Sequence, residues 1–342
     1  MKKTLSVIAG LLTGLALFAA STAWAAPQQK AAIGSLKLAG GQLTQCEVGY
    51  RTYGTLAADK SNVVLFPTWL TGKTADMEFL IGPGKLIDSS KWFVVTVDAL
   101  GDGISCSPST GTSTPKLKFP QFSIANMVES QHRLLTGSLG IQHVHAVVGM
   151  SMGGMQALQW SVSYPDFADK IVAMIATPQP TSQDLLTWSA EMRSIDGSAG
   201  WKGGNYSKGA RFDALVAVHT LSLWTPTYRA RTTPRSDFEK YIAGEQLSQL
   251  NAFNVVDWYR QLQALSTFDL VGSGDMAALA HSIKTPLMIV TSAQDHMVNP
   301  GPATMLAGLS HAKLLALDSD CGHIAPVCEM ATVGTAIAEF LQ

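Results

Sequence analysis

Charge is scarce in this 342-residue chain. It carries 24 Lys and Arg against 25 Asp and Glu, 14% of residues, for a formal net charge of −1. No basic run or patterned excess of Lys and Arg is present, which excludes nucleic acid as a partner of the usual electrostatic kind. Heptads, internal repeats and low-complexity tracts are also missing, so coiled-coil, solenoid and linker architectures are excluded. Past residue 25 no apolar segment is long enough to span a bilayer. Cysteines number only four, Cys46, Cys106, Cys321 and Cys328. Their spacings are not those of a zinc site and no paired His–Cys cluster supports one, so no metal and no cofactor is expected.

What is present begins with "MKKTLSVIAGLLTGLALFAASTAWAAPQQ". Two lysines precede an apolar stretch from about Leu5 to Ala20, and small residues lead to Ala23-Trp24-Ala25. That order is the pattern of a secretory signal peptide over 1–25, short for a permanent anchor. No cysteine near the cleavage site offers a lipid anchor. The mature chain is expected to start at Ala26, with no stable membrane insertion after cleavage, in the periplasm or secreted. Removing Lys2 and Lys3 takes the formal charge from −1 to −3, since residues 1–25 hold no acid. In such an oxidising compartment four cysteines allow three disulfide pairings. A Cys321–Cys328 bridge would close a short loop, "CGHIAPVC", around His323, worth about 2.5 kcal/mol. Two buried thiols are the alternative.

Short Val-, Ile- and Leu-rich runs recur along the mature chain: "NVVLFP" (62–67), "WFVVTVD" (92–98), "HVHAVVGM" (143–150), "KIVAMIA" (170–176), "PLMIVTS" (286–292) and "KLLALD" (313–318). Such runs suit strands buried on both faces of a parallel sheet. Helical patterns lie between them, at 123–137, 152–163, 302–309 and 329–341. Alternation of this kind predicts an α/β fold with a mostly parallel central sheet flanked by helices. Residues 178–272 are polar and helix-like, without a buried strand. They read as a helical lid inserted between two parts of the core, 26–177 and 273–342.

The chemistry centres on Gly149-Met150-Ser151-Met152-Gly153, at the end of a strand and the start of a helix. A serine on such a turn is strained and exposed, and bulky neighbours two residues away would clash. The helix N-terminus behind it directs free N–H groups toward developing negative charge. The base and its orienting acid should follow in the order acid, then histidine. Asp295, in "SAQDHMVNP", and His323, in "SDCGHIAP", each stand just past a predicted strand, where a parallel sheet places its site. The other histidines fit less well. His132 lies in a helix, His145 inside the strand before the serine, His219 in the lid, His281 and His311 before strands, and His296 beside the acid. Asp318 and Asp320 are rival acids on the histidine's own strand and loop. Backbone N–H groups of Met152 and of Leu70, in "PTWLTG" (67–72), would form an oxyanion hole.

With those residues the chain resembles the homoserine O-acetyltransferase group of α/β-hydrolase-fold enzymes over nearly all of the mature sequence. "YRTYGTL…SNVVLF" looks like the group's opening strands, "LIGPGKLID" like the following segment, and "MVESQHRLL…LGI" with "GMSMGGMQALQW…YPD" like its nucleophile region. "MRSID…WKGGNY", "TPTYR" and "FEKYIAGE…TFDL" are similar to its lid. The resemblance implies a triad of Ser151, Asp295 and His323, an oxyanion hole at Leu70 and Met152, Arg193 and Tyr206 lining a substrate tunnel, and pairing of two copies through the lid. Two departures matter. Thr68 stands where the group has histidine in "HALTG". Ile324 follows the catalytic histidine where the group has an aspartate able to pair with an amino-acid ammonium, so a charge-assisted contact is lost. Acetyl-CoA, the group's acyl donor, is also cytoplasmic. The expected function is therefore hydrolysis of a small-molecule carboxylic ester, with O-acyl transfer to an alcohol as the alternative.

Overall fold

The computed structural model describes residues 26–111, 116–207 and 209–342; the leader expected over 1–25 lies outside the described residues. Its frame is one eight-stranded sheet of order β1-β2-β4-β3-β5-β6-β7-β8. Strands β1 (Gln29–Leu38) and β2 (Gly41–Tyr53) form an antiparallel hairpin, and β2 pairs antiparallel with β4 (Phe93–Val97). The rest is parallel: β3 (Val63–Pro67), β5 (Val144–Met150), β6 (Ala168–Met174), β7 (Leu287–Ser292) and β8 (Lys313–Leu317). This is the mostly parallel α/β sheet that the strand–helix alternation predicted, in the α/β-hydrolase fold that the resemblance implied.

Burial explains why these segments are strands. Val63, Val64, Leu65 and Phe66 of β3, and Val144, Ala146, Val147 and Val148 of β5, are all inaccessible to solvent. Residues on both pleat faces must then be apolar, which gives continuous rather than alternating runs. The β1–β2 hairpin is the part the runs did not reveal. Its register shifts between Ala32 and Gly34 and again between Gly34 and Leu36, so the edge loses strict alternation. Strand β6 ends at Met174 rather than at the expected residue 176. Ile175 turns away with φ 42°, although its N–H still donates to the Val290 carbonyl at 2.7 Å.

The helices are α1 (Ile124–Arg133), α2 (Met152–Ser163), α3 (Ser182–Asp196), α4 (Asp213–Leu223), α5 (Pro226–Thr232), α6 (Phe238–Ala252), α7 (Val255–Ser266), α8 (Met276–Ser282), α9 (Pro300–Ser310), α10 (Ala325–Cys328) and α11 (Met330–Phe340). Helices α3 to α7 lie between β6 and β7, in the stretch assigned to the lid. The first of them starts at a capping box. The Asp184 carboxylate accepts from the Thr181 N–H at 2.5 Å, and its other oxygen accepts from the Asn299 N–H at 2.7 Å, tying α3 to the loop after β7. Apolar packing fixes the rest: Trp188, Ile195, Trp258 and Leu262 share one buried cluster with Leu70, Met152 and Met155. Each such side chain contributes about 2 kcal/mol by leaving water. All four cysteines are joined: Cys46–Cys106 links β2 to the loop after β4, and Cys321–Cys328 spans the turn after β8.

The order of strands sets the site. The chain steps from β3 outward to β4, then crosses back to β5 on the other side of β3. Such a reversal opens a crevice at the carboxyl ends of the two inner strands. The loop carrying Leu70 leaves β3 there, and Ser151 leaves β5.

Candidate active site

Ser151 is the single residue between β5 and α2, with φ 57° and ψ −125°. Its N–H donates to the Met174 carbonyl at 2.9 Å, and its carbonyl accepts from Met155 at 3.0 Å, so neighbouring strand and helix hold the strained turn. The flanking glycines have physical reasons. A Cβ on Gly149 would lie 2.0 Å from the Gly153 carbonyl oxygen, and one on Gly153 would lie 2.6 Å from that of Pro67. The turn folds too tightly against itself and against β3 for any side chain.

His323 Nε2 lies 2.8 Å from Ser151 Oγ, and its Nδ1 lies 2.7 Å from Asp295 Oδ2. The other Asp295 oxygen accepts from the Met297 and Val298 N–H groups, each at 2.9 Å. With Asp295 accepting at Nδ1–H, that tautomer leaves Nε2 to face the serine. The histidine loop is held from outside. Thr225 Oγ1 donates to the Asp320 carbonyl at 2.5 Å, Arg231 pairs with the Asp320 carboxylate at 2.9 Å, and the Cys321–Cys328 bridge closes around His323. Of the rival acids, Asp320 is thus engaged with Arg231 and Asp318 is exposed.

These groups open onto a cavity of about 400 Å³ walled mostly by apolar side chains, including Trp69, Met150, Leu223, Phe253, Met297 and Ile324. Three wall residues, Thr71, Ser151 and Ile175, have positive φ without being glycine. Strain gathered at one cavity marks a place where the fold has been held for something other than its own stability. Among the described residues neither the Leu70 nor the Met152 N–H has a hydrogen-bond acceptor. The Leu70 loop is nevertheless tightly kept. Gln261 of α7 accepts from the Thr71 N–H at 2.8 Å and donates to the Leu100 carbonyl at 3.1 Å. From the core side, Gln156 donates to the Thr68 carbonyl at 3.0 Å, while Gln131 donates to Gln156 and accepts from Trp160. Thr68 itself is buried and accepts from the Ala99 N–H at 3.0 Å.

Two expected tunnel residues are elsewhere. Arg193 is exposed on α3 and bonds Ser189; Tyr206 packs between Trp201 and Phe212, its hydroxyl accepting from the Val255 N–H. Neither lines the cavity: Tyr206 is turned into the aromatic side chains of Trp201 and Phe212, and Arg193 faces outward. A residue set aside in the sequence, His219 of α4, lines it instead. Its partner Glu191 sits on another helix, so nothing local in the sequence pairs them. Among the described residues no cluster of His, Cys, Asp or Glu could hold a metal, and no helix is long and apolar enough to cross a membrane.

Comparison with known proteins agrees with this fold. The family described as alpha/beta hydrolase fold matches residues 62–327. A homoserine O-acetyltransferase of Chlorobium chlorochromatii is 29% identical over 89% of this chain and 91% of its own. An ethyl acetate hydrolase of Pseudomonas veronii is 35% identical over 57% of this chain and 58% of its own. The solved structure of the acetyl esterase MekB, 26% identical, superposes with a TM-score of 0.84 over 92% of this chain and 97% of that one.

Proposed function

Because the chain belongs to the α/β-hydrolase fold family, we propose that it is an exported carboxylic ester hydrolase working through Ser151, His323 and Asp295. The observation that carries this reading is the unbroken series Ser151–His323–Asp295, at 2.8 and 2.7 Å, opening on an apolar cavity. His323 takes the hydroxyl proton as Ser151 Oγ bonds to the ester carbonyl carbon. The N–H groups of Leu70 and Met152 receive the oxyanion. Collapse breaks the bond to the alcohol oxygen, which leaves with the proton from His323. Water then repeats the sequence on the acyl-serine, giving the acid and free Ser151.

The second reading is O-acyl transfer, supported by the relatives named homoserine O-acetyltransferase. It shares the acylation half and differs in what attacks the acyl-serine. Ile324 in the cavity wall favours hydrolysis, since it offers no charge to an amino-acid acceptor. The signal pattern over 1–25 supports export to the periplasm or beyond, and cysteines that are all paired suit that compartment.

The test uses the mature chain from Ala26 beside Ser151→Ala. The wild type is expected to release p-nitrophenol from p-nitrophenyl acetate at a rate indifferent to added homoserine, and to leave acetyl-CoA intact. Ser151→Ala should lower kcat by about 10⁴-fold or more. Serine-dependent O-acetylhomoserine from acetyl-CoA would replace this reading with the transferase.

A further inference from the structure

The cavity wall carries a second histidine–carboxylate pair that the reaction above does not use. His219 is 7% exposed, and its Nδ1 lies 3.0 Å from Glu191 Oε1. Glu191 is fully buried, and its other oxygen accepts from Trp258 Nε1 at 3.0 Å. The Trp258 ring also meets the imidazole edge-to-face at 4.9 Å. The histidine is therefore fixed in both place and orientation. With Glu191 Oε1 as acceptor, Nδ1–H is the donor of this pair, and in that tautomer of the imidazole Nε2 presents a lone pair. That nitrogen bonds to no described residue, and it is not among the buried polar atoms sealed away without a partner.

Of the other polar side chains of the wall, Trp69 offers only an N–H donor. Asp76 and Ser248 are exposed at the rim, and the Thr71 hydroxyl donates to the Leu70 carbonyl at 2.6 Å. Ser151 and His323 do the chemistry. A histidine serving only to neutralise Glu191 would be enclosed with it; this one faces the cavity. Position assigns it to one end of the substrate. A Cβ on Gly322 would lie 3.0 Å from the Leu223 carbonyl, so the end of α4 abuts the loop of His323, and His219 stands one turn earlier on the same helix face. His323 hands its proton to the leaving alcohol, so α4 covers the alcohol side.

We propose that His219 Nε2 accepts a hydrogen bond from a free hydroxyl on the alcohol part of the ester. The substrate class is then a monoester of a diol or polyol. This rests on the hydrolase reading and narrows it. A buried acceptor left unmatched by an alkyl ester is a penalty, which is how such a site discriminates.

The experiment compares 2-hydroxyethyl acetate with propyl acetate, equal in heavy atoms, using the disulfide-bonded mature chain at about pH 8, above the ordinary imidazole range. The quantity read is the ratio of their kcat/KM values, which cancels general losses in any variant. Replacing His219→Leu should lower the hydroxyethyl-to-propyl ratio about tenfold, and His219→Gln, which keeps an acceptor, should restore part of it. Because His219→Leu leaves Glu191 unpaired, the double replacement Glu191→Met with His219→Leu reads the same ratio in a chain without the buried charge. An unchanged ratio in these variants, with serine-dependent hydrolysis of propyl acetate intact, overturns the His219 assignment alone. Absence of serine-dependent hydrolysis of both esters in the wild type overturns the hydrolase reading and this one with it.

Discussion

Gly149 and Gly308 show how differently one residue type can be constrained. At Gly149 the space for a Cβ is taken by rigid backbone, the Gly153 carbonyl at 2.0 Å, whereas Gly308, exposed within α9, has nothing within 4 Å. Gly149→Ala is expected to destabilise by about 3 kcal/mol through forced displacement of the turn. Gly308→Ala should stabilise by about 0.5–1 kcal/mol, because alanine gives up less freedom in a helix. Urea midpoints moving in opposite directions would bear this out; a tolerated Gly149→Ala would sink the packing account. At this scale the sequence was readable where chemistry is local or follows chain order. Ser151 declared itself by its glycines, and Asp295 and His323 by standing after strands. Glu191 and His219 did not, since neither stands after a core strand and their pairing depends on how α3 packs against α4.

The Leu70 loop, the proposed oxyanion loop, is an element without secondary structure of its own, so its order comes from its neighbours. Gln261 binds it from the lid and Gln156 from the core, at 2.8 and 3.0 Å. Gln261→Ala would leave the buried Thr71 N–H without its acceptor and loosen the Leu70 donor beside it. We expect kcat for p-nitrophenyl acetate to fall about tenfold with KM moving less; a rise in KM alone would mean that the loop only binds substrate. Element identity was otherwise legible to the degree that burial is symmetric. Strands β3 to β7 carry apolar residues on both faces and were found to within two residues. The β1–β2 hairpin has one wet face and a shifted register, so its pattern is broken. The tunnel residues were misplaced because a lid is positioned by tertiary packing, as Tyr206 illustrates by turning into Trp201 and Phe212.

For the molecule as a whole, two buried acids make stability depend on pH in an uncommon sense. Burial pushes the Asp257 carboxyl up to about 6 despite hydrogen bonds from Ser109, and burial with the neighbouring Asp98 charge pushes Asp102 well up. Between about pH 4 and 6 the folded chain holds a proton at Asp257 that the unfolded chain has lost, so this contribution weakens as pH rises through that window. Above it the penalty amounts to roughly 3 kcal/mol. Asp257→Asn should therefore raise the urea midpoint more at pH 7 than at pH 4.5. Equal shifts at the two pH values would contradict the assignment.

Ser151 and His323 are 172 residues apart, with the lid helices and strands β7 and β8 between them in the chain. Loop-closure entropy makes such distant partners late to meet, and a growing chain delivers the serine long before its base. A ribosome-bound chain at that stage carries Ser151 without the histidine that the proposed reaction sets against it. The proposed reactivity arrives only after β8, as a certificate that the chain has folded that far.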